Sequence, residues 1–159
     1  MSRTRTATLL ASALLLAGPA QQAQATAIEK ARFVFHLGVA YYAFNTWVWK
    51  PYRNYQFQSG APGQRANIVK AGLALGFAAY QVNAAIKMTR NTQDPFLQRI
   101  GSLLPNFGKS LTNVGNDLKN GRFNEKGIQD LNRSATNLLQ SAERQGQPIR
   151  PVAVPIPGL

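Results

Sequence analysis

Residues 28–50 place apolar or aromatic side chains on almost every side of a helix, and a helix of that kind has to be surrounded by protein or by lipid. At about 100° per residue, Val34, Leu37, Tyr41, Phe44 and Val48 form one stripe. Phe35, Tyr42 and Trp49 form a second line beside it, and Phe33, Ala40 and Trp47 a third on the other flank. Only a narrow strip of Arg32, His36, Ala43, Thr46 and Lys50, with Val39, is partly polar. Proline lacks the N–H that the next helical bond needs and disfavours helix in the residue before it, so the pattern predicts a stop at Pro51. Gly60, Pro62 and Gly63 then supply turn chemistry, and the chain reverses over residues 51–65.

Three further helices follow. Residues 65–90 are rich in small side chains, and Gly72, Gly76, Ala79 and Asn83 share one face along which another backbone can come close. A glycine inside a helix costs about 1 kcal/mol relative to alanine, so Gly72, Gly76 and Ala79 are read as a helix-packing face. Asp94-Pro95 opens residues 95–120 with an N-cap and a proline at the first helical position. Phe96, Ile100, Leu103, Leu104, Phe107, Leu111, Val114 and Leu118 form its apolar stripe, and Pro105 on the opposite side predicts a kink or short break. Residues 125–145 carry one seam, Ile128, Leu131, Ala135, Leu138 and Ala142, with Asn124 as N-cap and Phe123 and Ile128 placed for a hydrophobic staple. Residues 147–159 hold four prolines, which predicts an extended, mobile tail in polyproline II geometry.

No strand-period alternation competes with these segments, so the fold class is all-α: a small bundle of about four helices, as two antiparallel helical hairpins. The first residues are set apart from it. Arg3 and Arg5 precede an apolar run of residues 7–18 and then small residues, the pattern of a secretory signal peptide over residues 1–27, with cleavage before Thr26 or before Ile28. The expected organisation is a cleaved leader, one domain over residues 28–146 and the tail, in a chain that is secreted or held at the cell envelope. With no cysteine, it has neither disulfides nor thiolate ligands, and packing alone must hold it.

Chemistry is constrained mostly by exclusion. One histidine and no cysteine argue against a transition-metal site, and no phosphate-cradling glycine motif is present, so no cofactor is expected. His36 sits beside Arg32 on an apolar helix and reads as a packed histidine rather than a base. Asp94, Glu125 and Asp130 are explained by capping and first-turn placement, which leaves little for a carboxylate pair. The sequence therefore reads as non-enzymatic.

Without Arg3 and Arg5 the chain has sixteen basic against six acidic residues, a net +10 that favours anionic partners. Eight of its fifteen aromatic residues lie between positions 41 and 57. At the end of that stretch Lys50, Tyr52, Arg53, Tyr55 and Phe57, with Arg65 beyond the turn, form the candidate partner-binding surface. The expected partner is an anionic envelope surface, lipid headgroup or wall polymer, or another protein. The alternatives are a membrane-inserting helical hairpin of toxin or pore type, with residues 33–49 and 71–86 as its apolar arms, and a single-strand nucleic-acid binder using the interleaved rings and cations. Nucleic acid is the least favoured, since no recognised module accompanies the rings.

Overall fold

A long helix, α1 (Pro19–Phe44), runs through a π-helical turn (Asn45–Trp49) into a short helix, α2 (Lys50–Arg53), with right-handed helical backbone at Phe44, Trp49 and Lys50, so one rod leads up to the first reversal. The computed structural model describes the backbone from residue 19 and the side chains from residue 26 to residue 159. The basic and apolar parts of the expected signal peptide, residues 1–18, lie outside the described residues. The rod does not stop at Pro51, as the sequence predicts; it ends at Arg53, with Asn54 as C-cap. In the π turn the Lys50 N–H bonds to the Asn45 carbonyl, five residues back. That shift of register places the residue without an N–H where the bonding pattern changes from five to four, and the helix passes through the proline.

After the reversal come α3 (Gln64–Thr89), α4 (Pro95–Gly101), α5 (Leu104–Lys119) and α6 (Glu125–Arg144), and all the regular structure among the described residues is helical. The expected N-caps are made. Asp94 Oδ1 accepts from the N–H groups of Phe96 and Leu97, and Asn124 Oδ1 from that of Gly127. The break expected near Pro105 lies at Ser102 and Leu103, with the proline in the first turn of α5. It turns Leu103 outward to 43% exposure, off the stripe to which its spacing assigns it, while Phe96, Ile100, Leu104, Phe107, Leu111, Val114 and Leu118 are buried.

α3 is the centre of the bundle. It packs most extensively against α5 and next against α1, whereas α5 and α6 touch far less, so the tightest pairing crosses the two expected hairpins. Small residues decide this. A Cβ at Gly72 would lie 2.6 Å from the Lys119 backbone N and 3.0 Å from the Gly115 carbonyl oxygen. Three glycines spaced by seven, Gly101, Gly108 and Gly115, meet Thr89, Val82 and Leu75 of α3, also spaced by seven. The paired residues run in opposite directions, as an antiparallel contact repeating every two turns requires.

The apolar girth of α1 is covered from several sides but not all round, since Phe35, expected on its second apolar line, is 48% exposed. Phe33 packs edge-on to Phe96 at 5.9 Å between ring centroids, and Leu37, Ala40, Phe44 and Val48 enter the core shared with α3. Val39 and Ala43, expected on the partly polar strip, are buried as well. The proline-rich tail, expected to be extended and mobile, has no helix or strand but lies against the bundle. The Val152 N–H donates to the Gly38 carbonyl at 3.0 Å, and Ile149 and Ile156 are 7% and 6% exposed. A polyproline segment satisfies few of its own backbone groups, so two buried isoleucines and a glycine-lined approach are what hold it there. Among the described residues no helix is long and apolar enough to cross a membrane.

Candidate functional site

The shoulder where α1 turns into α3 has an unusual run of irregular backbone. It carries the π turn, a proline inside a helix, and Tyr55, the one described non-glycine residue with positive φ (59°). π turns and left-handed residues both cost stability, and both recur where the chain presents side chains to a partner. The Tyr55 carbonyl accepts from the Gln58 N–H and its own N–H donates to the Tyr52 carbonyl, so the turn is closed by its own bonds.

Three clefts open around α2. The first, about 280 Å³, lies between α2 and the start of α3 and is lined by Thr46, Trp47, Lys50, Pro51, Asn54, Gln56, Asn67 and Lys70. A second, about 380 Å³, continues from it along Asn45, Trp49, Lys50, Arg53 and Asn54. No carboxylate lines either one, and among the described residues Lys50, Arg53 and Lys70 form no ion pair. The third cleft, about 260 Å³, lies on the other side of α2 and is lined by Tyr52, Arg53, Tyr55, Phe57, Gln58, Phe123 and Glu125.

A chain of rings runs beneath this last cleft: Phe44 against Trp49, Trp49 against Tyr52 at 5.5 Å, Tyr52 against Phe123 at 6.3 Å, and Phe123 edge-on to Phe57 at 5.8 Å. The Tyr52 hydroxyl donates to Glu125 Oε1 at 2.6 Å and accepts from Gln129 Nε2 at 2.8 Å. The Glu125 carboxylate holds the phenol above its ordinary pKa, with the Gln129 amide acting the other way. These contacts tie the shoulder to the start of α6, and they commit one face of the Tyr52 ring and its hydroxyl to the protein itself.

The six residues of the expected partner-binding surface are thus divided. Lys50, Arg53 and Tyr55 are exposed around the clefts, Tyr55 at 68%. Tyr52 is half-buried in the ring chain. Phe57 is 1% exposed and belongs to the core, because a ring with no polar atom gains about 1.5–3 kcal/mol by leaving water and the turn folds it under onto Phe123. Arg65 is exposed on the first turn of α3 but lines none of the three clefts. Of the packing trio, Gly72 and Ala79 are buried, and Gly76 faces the Lys119 side chain.

Lys70, Asn67, Trp47 and Trp49 join the surface although the linear pattern does not single them out for it. Lys70 and Asn67 sit in α3 one helical step apart, and only the reversal at residues 54–63 brings them beside α2. The two tryptophans are read from periodicity as buried girth; the π turn, which adds a residue to the turn, leaves both half-exposed at the cleft walls. His36 lies away from the shoulder, where its Nδ1–H donates to Gln81 Oε1 at 2.7 Å and bridges α1 to α3. Comparison with known protein families, with curated proteins and with solved structures finds no match to this chain.

Proposed function

We propose that this chain is exported and acts without catalysis, binding an anionic surface of the cell envelope through the shoulder around α2. The observation that carries this reading is the pair of adjoining clefts lined by Lys50, Arg53 and Lys70 with no carboxylate among their lining residues. Cations that no local acid neutralises keep their field for an external anion. Trp47 and Trp49 at the walls suit a boundary between polar headgroups and apolar chains, since an indole has an apolar body and one donor. The net +10 of the chain without its leader arginines adds long-range attraction. Cleavage before Thr26 or Ile28 falls within α1 and leaves Lys30, which pairs with Asp94 at 2.8 Å, near the new terminus.

The alternatives draw less support. A spanning hairpin has no helix of sufficient length and apolarity among the described residues. A stacking surface for single strands loses Phe57 to the core and most of Tyr52 to Glu125, Gln129 and the neighbouring rings. The test is sedimentation of the chain lacking residues 1–27 with vesicles of phosphatidylglycerol or of phosphatidylcholine. Binding to the anionic vesicles alone, lost as about 1 M salt shortens the screening length to about 3 Å, is the expected result. Equal binding to both, or none to the anionic vesicles at low salt, overturns the reading.

A further inference from the structure

Resting on that reading, we infer that the cleft between α2 and the start of α3 seats a single phosphoryl group of the anionic surface, held between Lys50 and Lys70. Lys50 and Lys70 belong to different helices and both line one concavity of about 280 Å³, just below the range of small-ligand pockets. Asn54 and Asn67 add amide donors, and Trp47 and Pro51 wall it. Lysine binds phosphate as a point charge, and lysines carried on two helices can each meet a different oxygen of one tetrahedral phosphoryl group. The scaffold is fixed as well. Lys50 sits at the junction of the π turn with α2, and the Gln56 N–H bonds to the Pro51 carbonyl at 3.0 Å, so the cleft floor is closed by backbone bonds.

A seat differs from a diffuse field in where charge removal matters. Lys50 and Lys70 are exposed, so K50Q/K70Q is expected to keep the fold, with circular dichroism and the unfolding midpoint as the check. The comparison variant, R90Q/R99Q, removes the same charge from exposed positions at the other end of α3 and on α4. Twenty residues of helix separate Arg90 from Lys70, about 30 Å, or some three screening lengths at 0.1 M salt. On phosphatidylglycerol vesicles at that salt, K50Q/K70Q is expected to bind about thirtyfold more weakly and R90Q/R99Q less than about threefold. Glycerol phosphate identifies the source. If it alone shifts the Asn54 and Asn67 side-chain amide resonances, the phosphoryl group suffices in soluble form; if only vesicles shift them, the seat belongs to a lipid headgroup. Equal weakening of the two variants overturns the seat while leaving the envelope-binding reading in place, as does glycerol phosphate bound equally by native chain and K50Q/K70Q. Failure of the native chain to bind the vesicles removes both.

Discussion

Asp94 shows how much one residue can decide. It caps α4 through two backbone N–H groups and pairs with Lys30 across to α1, so it fixes both where a helix starts and where it docks. Burial pushes its pKa up, but the Lys30 ammonium and the donors of Leu97 and Phe96 outweigh it, and the net shift is downward. A carboxylate whose folded-state pKa is depressed contributes stability above its unfolded value of about 3.9 and loses it as pH falls through the lower folded value. Asp94→Asn, which can still cap, is therefore expected to flatten the stability loss below about pH 4, and Asp94→Ala to cost about 1–2 kcal/mol at neutral pH, both read from urea unfolding across pH. Tyr55 is the opposite case, a residue held where its own side chain is disfavoured. Tyr55→Gly is expected to raise stability by on the order of 1 kcal/mol, as relief of the left-handed backbone exceeds glycine's extra unfolded-state entropy. Asp94 as a cap is legible because Asp-Pro before an apolar stripe is a local signal. The conformation of Tyr55 and the burial of Phe57 are not, since the same run of aromatics and cations permits either ring to face water.

Among the elements, the pairing of α3 with α5 is set by glycines, and they are not equivalent. Gly72 faces the backbone of α5, and Gly101 faces Cβ and Cγ2 of Thr89 at 2.8 and 2.6 Å from an added Cβ. An alanine at either position has no room, and each substitution is expected to cost about 1–3 kcal/mol. Gly76 faces only the end of the Lys119 side chain, which can swing away. Gly76→Ala is expected to be neutral or to stabilise by up to about 1 kcal/mol through helix propensity. Thermal unfolding of the three variants distinguishes an interhelical fit from a general intolerance of substitution. The face of Gly72 and Gly76 is readable within one segment because its spacing is helical. Its partners, Gly101, Gly108 and Gly115, lie on a helix interrupted at Ser102 and Leu103, and their spacing of seven gains meaning only once they are set against Thr89, Val82 and Leu75. The α6 seam is the plainer case: Ile128, Leu131, Ala135, Leu138 and Ala142 are all buried, as a single stripe on an otherwise polar helix demands.

At the scale of the whole molecule, the tail and α1 explain each other. α1 is too apolar for a surface helix, and residues 150–152 lie against it, with Gly38 leaving room for the Arg150 carbonyl and Val152. Gly38→Ala is expected to lift the tail, lower stability by about 1–3 kcal/mol and speed hydrogen exchange of the Val152 N–H, which bonds to the Gly38 carbonyl. In a chain ending at residue 147 the same substitution is expected to be neutral or to stabilise by up to about 1 kcal/mol, a non-additivity that denaturant titration of the four proteins in the cycle measures. Composition and periodicity by themselves determined that the chain is helical, where the caps lie, which faces of α5 and α6 are apolar and that α1 must be enclosed, because these depend on residues within a few turns of one another. What encloses α1, which helices pair most closely, and which cations and rings share a cleft were decided only by tertiary structure. Each depends on contacts between distant segments, fixed by how closely their backbones can approach and not by any local pattern.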